Sequence, residues 1–370
     1  MNRRPSQSQR NSDRNIGRYR TTPANLFSPT ICGKRDRLPF YLRFCISFFL
    51  LLLLFNTVLN RLVLVRRITI PVTHLPAALD GTTLLHISDL KGAEFGSRQS
   101  GIIAQIRNER IDAVVLTGDM VSPHGNAQPL YDLLDELAEN IPGVPVWFIA
   151  GDSDPEPVSV QYASEGSCYA PWVLGASRHG ARLLRAPIRL NQGEPGLWLI
   201  PGVDLSLDLS LEEERFFRLR HDAFSSGDEI QGELARYHLA RLSEFRDAQK
   251  RIQSEDLCIA LFHAMDPSTA ERSDPLSGIS TYSIDAILSG HWLGGLIHIP
   301  YIGPLFIPSV HLQNGGILPG DGYDGLSRLG SVWHYVSPGL GSSDTKYPFF
   351  FFRFLNPPSI TLVQFLSSSV

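Results

Sequence analysis

The residues in this sequence best suited to bind a metal or move a proton follow short apolar runs. Asp89 follows the run 84–87, and Gly118-Asp119 follows 113–116. Gly151-Asp152-Ser153-Asp154 follows 144–149, His263 follows 259–262, and Gly290-His291 follows 286–288. A lone aspartate after a strand usually caps a helix, and a lone histidine is usually a satisfied core group. At successive strand ends along one sheet edge, the same residues form a mixed carboxylate and imidazole donor set of the kind that holds divalent metals.

The elements that position them are legible from periodicity. The apolar runs read as buried strands, joined by a further strand over 197–200 and two closing strands over 332–336 and 360–365. Between the first three lie helical spacings, Ile102-Ile103-Ile106 and Leu130-Leu133-Leu134-Leu137. This β-α-β-α-β order predicts a doubly wound start, with ligands at the strands' carboxyl ends. Residues 210–254 interrupt the rhythm with a charged, helix-period insertion, opened by Ser210 and Glu213 as a capping box. The stretch around Pro300 and Gly303 is dense in turn formers.

The 370 residues, 43% hydrophobic and 19% charged, suffice for one large α/β domain with appendages. Residues 1–38 are basic and poor in apolar clusters, and are expected to be a disordered tail. Residues 39–65 carry an apolar run long enough for a ~30 Å hydrocarbon core, and no small-x-small cleavage site follows it. This predicts a retained single-pass anchor, with the tail cytoplasmic and the domain over 68–370 outside the cytoplasm. Residues 1–67 hold 13 Lys and Arg against 2 Asp and Glu, which leaves the remainder strongly acidic. An acidic body is a poor partner for nucleic acid, whose phosphates need clustered cations. Cys32, Cys45, Cys168 and Cys258 have no zinc-ribbon or disulfide spacing.

Together these segments resemble the calcineurin-like metallophosphoesterases, in particular a single-span, membrane-anchored bacterial branch. Ile87-Ser88-Asp89-Leu90-Lys91-Gly92 is similar to the family's first motif and Leu116-Thr117-Gly118-Asp119-Met120-Val121 to its second. Ala150-Gly151-Asp152-Ser153-Asp154 stands at the third, Leu261-Phe262-His263 at the fourth, and Leu288-Ser289-Gly290-His291-Trp292-Leu293 at the fifth. The segments 296–300, 335–341 and 353–358 look like that branch's own tail signature. The resemblance covers roughly 83–366. It implies an α/β fold, a metallophosphoesterase-type β sandwich flanked by helices and here preceded by one transmembrane helix. It also implies two divalent metals about 3.5 to 4 Å apart that hydrolyse a phosphoester.

Carried over position by position, the resemblance shows replacements. The first metal would be held by Asp89, position 91, Asp119 and position 293, but Lys91 and Leu293 stand where the family has histidines. The second would use Asp119, Asp152, His263 and His291, with Asp152 replacing an asparagine, so one half-site survives. It would hold one divalent metal (Mn, Fe or Zn) rather than two, or none. Ser153 stands where the family's proton-donating histidine does, and losing a general acid typically costs ~10²- to 10⁴-fold. The Lys91 ammonium is expected between Asp89 and Asp119, replacing the missing cation's charge. His86 and His298 are expected to point elsewhere, and His124 and Asp154 to lie at the surface or behind the ligands. The favoured expectation is a membrane-anchored domain with reduced or lost phosphoesterase activity. The alternatives are an active mononuclear hydrolase and a non-catalytic envelope-binding or scaffold module. A phosphorylated small molecule or lipid is the expected ligand.

Overall fold

The computed structural model describes residues 39–368, apart from 74, 123, 163–167, 203–204, 206–207, 266–283, 296, 300–301, 308–321 and 343–352. The tail expected over 1–38 and part of the segment 296–301 lie outside the described residues. In chain order, helix α1 (Phe40–Leu59) precedes β1 (Leu64–Thr73), β2 (Thr83–Ile87), α2 (Ser100–Ile106), β3 (Ala113–Thr117), α3 (Gln128–Asn140) and β4 (Val146–Ile149). Then come α4 (Pro171–Arg178), β5 (Ala181–Leu183), β6 (Ile188–Arg189), β7 (Leu197–Pro201), α5 (Leu209–Ser226) and α6 (Glu229–Arg251). The chain closes with β8 (Leu257–Leu261), β9 (Ala286–Ser289), β10 (Ile297–Ile299), β11 (Gly303–Phe306), β12 (Gly325–Leu329), β13 (Val332–Val336) and β14 (Ser359–Ser368).

The strands form two six-stranded sheets, β1-β14-β2-β3-β4-β5 and β12-β13-β9-β8-β7-β6, beside a small β10-β11 hairpin. Side-chain alternation explains the layering. Leu85, Ile87, Val114, Leu116 and Phe148 face one cluster, with Ile102 and Ile106 of α2, Leu133 and Leu137 of α3, and Val173 of α4. Their neighbours Leu84, Ala113, Val115 and Ile149 face the opposite way, onto Leu199, Ile259 and Leu288 of the second sheet. The doubly wound start is therefore corrected: α2, α3 and α4 all cover one face of the first sheet, and the second sheet covers the other. Phe245 and Ala248 of α6 close the far side of that second sheet against Trp198 and Ala260.

Two further expectations are corrected. The apolar run over 39–65 divides, because the helix stops at Leu59 and Val65 already belongs to β1, paired in parallel with Ile360 of β14. The β-branched, arginine-bearing segment 63–68 suits an edge strand better than another helical turn, and Pro71 is tolerated there because β1 lies at the sheet's edge. The insertion is two helices, and α5 is capped not by Ser210 but by Asp208, whose carboxylate accepts from the Ser210 and Leu211 amides. The helix Phe40–Leu59 is 20 residues long, with mean hydropathy 2.2. It is long and apolar enough to cross a membrane.

Candidate functional site

Every residue singled out by position leaves the carboxyl end of a strand. Asp89, Asp119 and Asp152 follow β2, β3 and β4 of the first sheet, while His263 and His291 follow β8 and β9 of the second. The structure brings all five together where the two sheets meet at these ends. Atoms of Asp152, His263 and His291 lie within 4.8 Å of one another, and so do atoms of Asp89, Asp119 and His263.

Asp119 is the centre of the arrangement. Its Oδ2 lies 2.5 Å from the Lys91 ammonium, 3.3 Å from His263 Nε2 and 3.1 Å from the Ser153 hydroxyl, which donates to it. Its Oδ1 accepts from the Ser153 amide at 2.7 Å. Burial alone would raise its pKa, but hydrogen bonding and charge from His263 and then Lys91 outweigh that and hold it well below the usual carboxylate range.

His263 is oriented from behind. Its Nδ1 donates to the Thr117 carbonyl at 2.8 Å, which fixes the tautomer and turns Nε2 toward Asp119. Burial depresses His263, yet Asp119 and Asp89 more than offset it and raise the imidazole to about 9. His291 Nδ1 lies 3.3 Å from both Asp152 Oδ2 and His263 Nε2, and its own pKa is lowered by burial and then by His263. Asp152 is largely exposed at the mouth of the site.

Asp89 is fully buried; its Oδ2 accepts from Ser88 Oγ and from the His291 amide. Among the described residues its Oδ1 has no hydrogen-bond partner. A buried carboxylate oxygen left unsatisfied costs free energy, so this acceptor fits a cation. Asp119, Asp152, His263 and His291 fit one too, as an oxygen and nitrogen donor set with an imidazole held by a backbone carbonyl. On the other side, Lys91 fills the space beside Asp119, also reaching Ser153 Oγ at 3.3 Å, and Leu293 is buried.

Asp154 lies directly behind these residues. It accepts from the amides of Asp119, Val121 and Gly151 at 2.7 to 2.8 Å, tying the second and third loops together. Burial outweighs those bonds and raises it to about 6. Gly118, at φ 89°, lets these loops approach, because a Cβ there would stand 2.7 Å from His263 Nδ1. His86 lies elsewhere, bonded to Thr117 Oγ1 at 2.7 Å, and His298 faces Asp324. His124 is exposed.

Sequence reasoning missed Arg353. Its buried guanidinium donates to the carbonyls of Leu293, Pro338, Gly339, Gly341 and Asn356, so it binds together the loops around Asp89. The Gly341 amide in turn donates to Asp89 O at 2.6 Å. Nothing local marks Arg353; only its place inside the segment 353–358 pointed to that region.

No curated protein matches the sequence. Solved structures similar to it include two at 11% identity and a TM-score of 0.34. Phosphopantetheinyl hydrolase from Mycobacterium tuberculosis covers 77% of this chain with 96% of its own length, and TT1561 of Thermus thermophilus covers 70% with 90%. The family model for calcineurin-like phosphoesterases matches residues 82–294, more than half of the chain. The chain belongs to the calcineurin-like phosphoesterase family.

Proposed function

We propose that this is a membrane-anchored metallophosphoesterase with one surviving divalent-metal half-site, Asp119, Asp152, His263 and His291, and with much reduced phosphoester hydrolysis. The observation that carries the reading is the Lys91 ammonium 2.5 Å from Asp119 Oδ2, where the family pattern calls for a histidine ligand of another metal. The ammonium balances a carboxylate that would otherwise face Asp89 at close quarters. A divalent cation in the surviving half supplies Lewis-acid polarisation of a phosphoryl oxygen.

The chain's own residues do the remainder. Lys91 presents a fixed positive charge beside a bound phosphoryl group, and Asp154 and Arg353 keep the loops from relaxing. Ser153 holds Asp119 but cannot protonate a leaving group near neutral pH, which is where the activity is lost. Mn, Fe or Zn suits the donor set. The ligand is a phosphorylated small molecule or lipid. The helix Phe40–Leu59 is the anchor; the nine Lys and Arg that precede it, against Arg61, Arg66 and Arg67 after it, favour a cytoplasmic tail and a domain on the other side.

Elemental analysis of the full chain in detergent, beside His263→Ala, tests this. The expected result is about one metal per wild-type chain, lost in the variant together with slow p-nitrophenyl phosphate turnover. Two metals per chain, or none in either protein, would overturn it.

A further inference from the structure

A cavity of about 610 Å³ opens directly beside Asp152 and His263. That volume lies in the range of sites that enclose drug-sized ligands, and it far exceeds the needs of a phosphate alone. Val158, Val160 and Leu183 line one side, and Leu234, Tyr237 and His238 of α6 line the other. The α6 wall is a braced stack of rings: Tyr169 meets Tyr237 edge-on at 5.4 Å, Tyr237 meets His238 at 5.2 Å, and Phe216 of α5 stacks on His238 at 4.2 Å. Burial, reinforced by Arg241 and Arg215, lowers His238 to about 4, so the rings of this wall are uncharged at neutral pH, while Arg241 of the same helix, Arg185 over the Tyr237 ring and Glu156 bring charge to the lining.

The α5–α6 insertion thus supplies one side of a pocket whose inner end is the candidate phosphoryl site. Rigid aromatic and aliphatic walls reward apolar surface removed from water and offer aromatic partners edge and face contacts. We infer that the cavity is the subsite for the organic part of the phosphoester, selecting a bulky apolar or aromatic alcohol moiety over a small polar one. The inference rests on the reading that the adjacent cluster binds the phosphoryl group.

The test is calorimetric titration of the full-length protein in detergent with Mn²⁺, against an empty-micelle blank. The probes are three phosphonates with no ester bond to cleave: methylphosphonate, phenylphosphonate and 1-naphthylmethylphosphonate. Affinity is expected to rise along the series by at least about tenfold. Leu234→Trp, or Val160→Trp from the opposite wall, should remove that rise and leave methylphosphonate binding unchanged. A flat series in the wild type overturns the subsite whatever the variants do, and if methylphosphonate still binds, the phosphoryl reading stands. Naphthyl binding sensitive to Leu234→Trp without methylphosphonate binding would support the cavity and remove the phosphoryl reading. No binding by any probe overturns both.

Discussion

Asp89, Lys91, Asp119, His291 and Leu293 all adopt left-handed backbone, with φ between 51° and 71°. Such conformations cost non-glycine residues about 1 to 3 kcal/mol each and persist where surrounding structure imposes them. Lys91 and Leu293 keep them although neither has a histidine's donor nitrogen, so under the proposed reading the frame of a first half-site is retained without its ligands. Lys91→His with Leu293→His is therefore expected to raise metal content from about one to about two per chain by elemental analysis; an unchanged count would show that the frame is not competent. Ser153→His, added to that pair, should raise p-nitrophenyl phosphate turnover by about 10²-fold or more. At this scale the sequence was informative wherever a residue's place follows from the strand before it. Asp89, Asp119, Asp152, His263 and His291 all did. Arg353 did not, because four of its five acceptors lie on other loops, 12 to 60 residues away in sequence.

Elements were readable in proportion to their burial. β3, β7, β8 and β9 stand out as almost wholly apolar runs, being covered on both faces. β1 is masked in the sequence because Leu64 and Val65 continue the apolar run of the preceding helix, and the three-residue β5 and two-residue β6 are too short to show a period. Two neutral histidines are buried in the layers, His86 of β2 between the two sheets against the Tyr335 ring, depressed to about 3 by burial, and His334 of β13 on the outer face of the second sheet, depressed to about 4. The unfolded chain takes up protons at these positions near pH 6.5 and the folded one does not. Their stabilisation is therefore complete above pH 6.5 and is lost as pH falls toward 4, at about 1.4 kcal/mol per histidine per unit. His334→Asn should flatten that slope in urea unfolding at pH 7 and pH 5; an unaltered slope would place the acid sensitivity elsewhere. The Arg353 clamp belongs to this scale too. Arg353→Met strands five loop carbonyls and is expected to cost at least about 3 kcal/mol, read as a lowered denaturant midpoint. A midpoint within error of wild type would mean that those loops hold without it.

Across the whole molecule, the charge division in the sequence, a basic start and an acidic body, matches the division between the segment ending in α1 and the sheets that follow. Composition did not reveal how the helix end is fixed. Asn56 and Asn60 each donate to the Arg353 carbonyl, at 2.7 and 2.8 Å, and Asn56 accepts from the Leu355 amide. The last turns of α1 are thus fastened to the same segment that clamps the site loops. Asn56→Ala is expected to lower the domain's stability by about 1 to 3 kcal/mol in detergent, whereas a helix serving only as an anchor would show no change. Between α1 and β1 lie only residues 60–63, too few to act as a flexible linker. A force on the turns after Leu50 would therefore pass through Arg353 to the loops around Asp89 instead of being absorbed in slack chain.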